Sequence, residues 1–312
     1  MNTFPTKILL ATDGSKEAAL AARTAIDVAH KTGSELHVVY VEPWPPIIDP
    51  KADKAVTEAI NEKKMKRANR LLGAQVQEIE AAGCSVAKAY LRKGGAAEEI
   101  VSLAEEMGAG LIVVGSRGWG RLRRALIGSV SESVVRYAHC PVLVVRGGER
   151  GRPVLLSKKI LLATDGSEDA ALAARTAAGL AQQMGSQLHA VHVRPRTVPH
   201  RPGYYVGPEV VEHAGRKERE GLEREAQRLL DVQAEEVRGA GGNVARAHLR
   251  VGTPDEEIVK LAEELGVGLI VMGSRGQGGV RRALLGSVSD SVVWHAHCPV
   301  LVVRKEEEAL SS

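Results

Sequence analysis

Aromatic residues are scarce in this chain: one Phe, three Trp and five Tyr amount to 3% of 312 residues. Its cores must therefore rest on Val, Leu, Ile and Ala. Cysteine is nearly absent too. Cys84, Cys140 and Cys298 are an odd set in a long chain, which excludes a disulfide framework and fits a reducing compartment. No run approaches the roughly eighteen uninterrupted apolar residues that a membrane span requires, and Met1 to Lys7 is too short and too polar for a secretory signal. A cytoplasmic protein without a membrane partner is expected. A strong excess of one charge is also missing. Lys and Arg number 42 against 38 Asp and Glu, a formal net charge of +4, so no nucleic-acid partner is expected. Only the local clusters Arg117, Arg121, Arg123, Arg124 and Arg275, Arg281, Arg282 could meet phosphates. Two common nucleotide signatures are missing as well. There is no G-x-x-x-x-G-K-[ST], hence no P-loop lysine, and no G-x-G-x-x-G after the first strand-like run, which disfavours a dinucleotide dehydrogenase.

What is present is a duplication. KILLATDGSKEAALAARTA, from Lys7, matches KILLATDGSEDAALAARTA, from Lys159. LIVVGSRG matches LIVMGSRG, and AHCPVLVVR occurs twice. The period is far longer than a solenoid repeat, so each copy is a whole domain. The expected division is 1–147 and 158–312, joined by a surface linker at 148–157 within GGERGRPVLLS. Hydrophobic content of 44% and charged content of 26% are ordinary for globular domains.

Within the first copy, compact apolar runs at Lys7 to Thr12, Leu36 to Glu42, Val86 to Arg92, Leu111 to Val114 and Val142 to Val145 read as five strands. Between them, helical spacing runs over Lys16 to Lys31, Ala96 to Met107 and Val130 to Ala138. A long stripe carries Val56, Ile60, Ala68, Leu71, Leu72, Val76 and Ile79. Alternating strands and helices imply an α/β fold: two tandem domains, each a five-stranded parallel sheet with helices on both faces. Such sheets place ligands beyond the carboxyl ends of their strands, where strand order reverses. ATDGS follows the first strand there, and GSRG follows the fourth.

The loop GSRGWGRLRRALIGS, Gly115 to Ser129, returns as GSRGQGGVRRALLGS, Gly273 to Ser287. Ser129 with Glu132 spells a capping box for the following helix, and Ser287 with Asp290 a looser one. Capping does not require Gly115, Gly118 and Gly128 to share their spacing with Gly273, Gly276 and Gly286. Glycines allow positive φ and close backbone approach to a ligand, and a helix amino terminus offers unpaired N–H groups; together they describe a phosphate cradle. Hydroxyls could come from Ser116, Ser129 and Ser131, and from Ser274, Ser287 and Ser289.

GSRG, nine residues, then GS resembles the ATP-binding signature G-x2-G-x9-G-[ST] of the universal stress protein family. ATDGS after a first strand and HCPVLVV at the last are similar to that family as well. The resemblance spans nearly all of both copies. It implies an adenine nucleotide alpha hydrolase-like, Rossmann-like domain that binds ATP. It assigns phosphate and ribose contacts to Gly115, Arg117, Gly118, Gly128, Ser129 and Val130, and to Gly273, Arg275, Gly276, Gly286, Ser287 and Val288. Adenine would be held by Ala11, Thr12, Asp13 and the backbone of Val41, matched by Ala163, Thr164, Asp165 and Val193. Asp13 also reads as a turn residue ahead of a Ser15 helix cap. Mg²⁺ would travel with the ATP near Asp13 or Ser129, without a cage built by protein alone. The terminal PVLVV strands serve dimerisation in that family, so the two copies are expected to pair within the chain, and two chains could associate further. The leading function is a nucleotide-dependent stress-response module. A slow ATP hydrolase and a scaffold with structural nucleotide stay open.

Other features read plainly. His139-Cys140-Pro141 and His297-Cys298-Pro299 are helix-to-strand turns with a buried thiol rather than zinc sites, because no C-x2-C accompanies them. His37 and His189 are core or pocket-wall histidines. Trp119, which Gln277 replaces in the second copy, reads as a local contact or an interface residue, with lid behaviour as the weaker alternative. The insertion Arg194 to Glu209 reads as a surface loop, with closure over the second pocket as the alternative.

Overall fold

A computed structural model of the chain describes residues 6–44, 54–118, 127–147, 159–194, 208–276 and 285–304. The linker 148–157, Trp119, Arg121, Arg123, Arg124, Arg281, Arg282 and most of the second-half insertion lie outside the described residues.

The first half runs β1 (Lys7–Ala11), α1 (Lys16–Thr32), β2 (Glu35–Pro43), α2 (Lys54–Ala81), β3 (Val86–Gly94), α3 (Ala96–Met107), β4 (Leu111–Gly115), α4 (Ser129–Tyr137), β5 (Val142–Val145). The second repeats the order as β6 (Lys159–Ala163), α5 (Glu168–Met184), β7 (Gln187–Arg194), α6 (Pro208–Gly239), β8 (Val244–Val251), α7 (Pro254–Leu265), β9 (Leu269–Gly273), α8 (Ser287–His295), β10 (Val300–Val303). Helix ends carry the local signals the sequence promised. The Ser15 hydroxyl accepts from the Ala18 amide at 3.1 Å, and Gly33, at φ +70°, closes α1 by donating to the Ala29 carbonyl.

All ten strands join one sheet in the order β3-β2-β1-β4-β5-β10-β9-β6-β7-β8. Pairing is parallel within each half. At the centre β5 and β10 run antiparallel, with Leu143 opposite Leu301. The terminal strands of the two copies thereby cover each other, and the exposed edges become β3 and β8, where Lys88 and Arg246 place charge on the rim.

The central strands β4, β5, β9 and β10 are buried throughout yet feed two cores, because successive side chains point to opposite faces. Ile8 and Leu10 join Val38 and Val113 on the face that also holds buried residues of α1 and α5, such as Ala25 and Ala177. Leu9 joins Val39, Ile112 and Val114 on the face that holds Leu103 and Leu261 of α3 and α7. Both cores contain residues of both halves, so neither is interrupted at the β5–β10 seam.

The stripe on α2 departs from expectation. Ala68, Leu72 and Ile79 are buried, whereas Val56 and Ile60 are exposed. A helix of 28 residues extends about 42 Å, while the nine-residue β2 beneath it extends about 30 Å. The first turns of α2 therefore overhang the sheet.

Candidate functional site

In each half the first strand is flanked by the second on one side and the fourth on the other, so strand order reverses between β1 and β4 and between β6 and β9. Connections leave in opposite directions at such a point and open a crevice at the carboxyl end. In the first half that crevice is a cavity of about 540 Å³, within the ~300–1,000 Å³ of small-molecule sites. Ala11, Thr12, Asp13, Val41, Gly115, Arg117, Gly118, Gly128, Ser129 and Val130 all line it. The apolar wall is completed by Val39, Ala96, Ile100 and Ile127.

Local bonds fix the floor. Asp13 Oδ1 accepts from the Ser15 amide at 2.9 Å, and the Ser15 hydroxyl donates to the Arg117 carbonyl at 3.4 Å. The loop after β1 is thus tied to the loop after β4. The Ser131 hydroxyl donates to the Gly115 carbonyl at 2.6 Å, and the Gly128 amide donates to the Ser116 carbonyl at 2.8 Å, which aims the start of α4 back at the strand end.

The capping boxes do not form. Gly128 is the N-cap of α4 and Gly286 that of α8, and neither receives a side-chain cap bond. Ser129 is already inside the first turn, Ser131 turns to Gly115, and Glu132 pairs with Arg136 at 3.1 Å. A glycine cap leaves the first-turn amides without a local side-chain acceptor, which suits an incoming anion.

The glycines do not supply the positive φ that was one of their two expected uses. None of Gly115, Gly118 and Gly128 adopts the left-handed region. Gly115 is required because a Cβ there would stand 2.8 Å from the backbone carbon of Glu17, where α1 crosses the end of β4. Gly118 faces the Asp13 carboxylate, and Gly128 lies over Arg117 Cα.

The second half repeats this scaffold. Asp165 Oδ1 accepts from the Ser167 amide at 3.0 Å, the Ser289 hydroxyl donates to the Gly273 carbonyl at 2.8 Å, and Gly276 faces Asp165 as Gly118 faces Asp13. Ala163, Thr164 and Val193 are buried at the ends of β6 and β7, and Ser287 and Val288 open α8. His192 replaces Tyr40 here, its Nδ1 2.9 Å from the Thr164 carbonyl.

Besides the apolar wall, sequence reasoning missed Glu132 and Trp294 as lining residues. Glu132 came into view only as a cap residue, yet it faces the cavity. Trp294 of α8 reaches the first-half cavity from the other half of the chain. No spacing rule could have found it, because it aligns with Arg136 and reaches the cavity only across the β5–β10 seam. Arg136 in turn stands 4.0 Å from Asp290, in the first turn of α8. Arg146, at the end of β5, is held below the usual guanidinium range by burial and by the nearby Arg117 charge.

The histidine-cysteine turns hold no metal cluster among the described residues. His297 pairs with Glu263 at 2.7 Å and His139 with Glu105, while Cys140 and Cys298 point into the core.

A family model described as the universal stress protein family matches residues 5–146 and again 157–304. Universal stress protein MJ0531 of Methanocaldococcus jannaschii is 33% identical over 53% of this chain and 89% of its own. Universal stress protein Rv2005c of Mycobacterium tuberculosis is 35% identical over 63% of this chain, which spans 62% of that protein's length. Among solved structures, a universal stress protein from Archaeoglobus fulgidus superposes over 96% of this chain and 97% of its own with a TM-score of 0.68 at 28% identity. With the family's pattern present in both halves on a mostly parallel α/β sheet, this chain belongs to the universal stress protein family.

Proposed function

We propose that each half, 1–147 and 158–312, binds ATP at the carboxyl end of its strands, and that occupancy of these sites regulates the protein within a stress response. One observation carries the reading: the ten first-half residues that spell the nucleotide signature and its adenine partners line a single cavity. Its chemistry suits the ligand. Apolar Val39, Val41 and Ile100 can enclose a purine, the Asp13 carboxylate can accept from a ribose hydroxyl or a metal-bound water, and the glycine-capped start of α4 can receive phosphate oxygens. Dipole attraction at a helix start amounts to only about 0.3–1 kcal/mol, so affinity requires the amides, hydroxyls and Arg117 together. Mg²⁺ would enter with the nucleotide, since Asp13 is a single carboxylate and no group of three ligating side chains stands among the described residues.

The antiparallel β5–β10 seam makes the chain its own pseudo-dimer, and association of two chains would use other surfaces. Among the described residues no helix is long and apolar enough to cross a membrane.

The test is native mass spectrometry of the purified chain, followed by calorimetric titration with ATP and Mg²⁺. Bound adenine nucleotide and saturable heat support the reading. No saturable binding defeats it, and ADP release at ordinary enzymatic rates would move the protein to the hydrolases.

A further inference from the structure

The two binding loops differ in one buried carboxylate. Asp169, in the first turn of α5, is 8% exposed. Its Oδ2 accepts from the Ser274 hydroxyl at 2.7 Å and from the Arg275 amide at 3.1 Å, and Arg275 Nε lies 3.5 Å away. A single side chain thus engages a hydroxyl, an amide and a cation of the loop that follows β9. Glu17 stands at the matching place in α1, one methylene longer and half-buried, and among the described residues it makes no matching bond to its loop.

We infer that Asp169 makes the second site select against highly charged nucleotides, so that the first half takes the triphosphate and the second prefers an adenine nucleoside monophosphate. This rests on the nucleotide reading proposed above. A buried carboxylate beside the loop repels each phosphate charge brought near it, and the repulsion grows with the number of charges. Asp169 also takes up charge capacity in Arg275, the counterpart of the cavity-lining Arg117, that a triphosphate would otherwise use. The cation reaching toward the first turn of α8 from across the seam does not offset this. Arg136 is paired with Glu132 at 3.1 Å and stands 4.0 Å from Asp290, so two acids already share it.

The experiment is calorimetric titration of the intact chain with ATP and, separately, AMP, for the native sequence, Asp169→Asn and the mirror variant Glu17→Asp. The native chain should bind ATP at one tight site and at a second at least about tenfold weaker, with the two AMP sites within about threefold of each other. Asp169→Asn should bring the weak ATP site close to the tight one. Glu17→Asp, which leaves the second half untouched, should weaken the tight site and keeps the idea testable if Asp169→Asn fails to fold. Two equal ATP sites in the native chain, or a weak site that Asp169→Asn does not strengthen, would overturn the inference alone. No saturable binding in any variant would overturn the nucleotide reading and this inference with it.

Discussion

Asp13 faces Gly118 so closely that a Cβ at position 118 would stand 2.2 Å from its Oδ2. The same holds for Asp165 and Gly276, at 2.4 Å. The obstruction is the tip of a side chain whose other oxygen holds the Ser15 amide. Gly118→Ala should therefore displace Asp13 from the cavity rather than unfold the domain. We expect first-site ATP affinity to fall at least about tenfold with little change in melting temperature, read by calorimetry beside thermal denaturation.

Gly115→Ala should do the opposite. Its Cβ meets the backbone carbon of Glu17 at 2.8 Å, and backbone at a helix start cannot rotate aside. Overpacking of this kind costs about 1–3 kcal/mol, and urea unfolding should show a loss of that size whether or not nucleotide is present. Equal stabilities would mean that α1 shifts freely at this crossing.

Arg304 links the halves. At the end of β10 it donates from Nη1 to the Arg136 and Ala138 carbonyls, at 3.2 and 2.6 Å, and from Nη2 to the Val135 carbonyl, so it caps α4 across the seam. Arg146 approaches α8 in the same manner, donating to the Val293 carbonyl at 3.2 Å. Arg304→Ala strips buried carbonyls of a donor and should cost about 1–3 kcal/mol in chemical denaturation. Arg304→Lys should recover only part of the loss, because an ammonium cannot fork to several carbonyls at once.

Stability should fall on acidification through the second half. His189 Nδ1 lies 3.1 Å from His248 Nε2, and both histidines are held below the usual imidazole range, chiefly by burial, with Lys159 and Arg246 adding to His189 and its own ring and Arg246 adding to His248. Their folded pKa lies below the unfolded one, so the unfolded chain binds more protons between the two values. Stability is full above the ordinary value near 6.5 and declines as pH drops below it. His248→Tyr, which reproduces Tyr90 of the first half, should flatten the melting temperature between about pH 7 and pH 5 relative to the native chain.

Cys298 should be inert while the protein is folded. Burial pushes its thiol up to about 12, so almost none is thiolate at neutral pH. Intact-mass measurement after iodoacetamide treatment at pH 8 should find Cys298 unmodified in the native protein and alkylated in denaturant. Rapid native alkylation would show that the turn opens.

The alternation of elements, the duplication, the helix cap at Ser15 and the place of both loops were legible in the residues alone. Each depends on periodicity, on a short-range bond or on repetition along one line. The glycine spacing was equally plain, but its division of labour was not: Gly115 answers to α1 packing and Gly118 to a carboxylate, and both neighbours lie about a hundred positions away in the chain. The capping box at Ser129 misled for the same reason, since a 2.6 Å bond from Ser131 to Gly115 set the helix start instead.

The sequence by itself determined the fold class, through local pattern and spacing, the family, through its motifs, and the first-half residues that gather at the crevice. Only the tertiary structure decided that β5 meets β10, that Trp294 walls the opposite half's cavity, and that Asp169 grips its loop where Glu17 does not. These outcomes follow from distances between segments remote in the chain, and a difference of one methylene between two acids has physical meaning only once those segments are packed together.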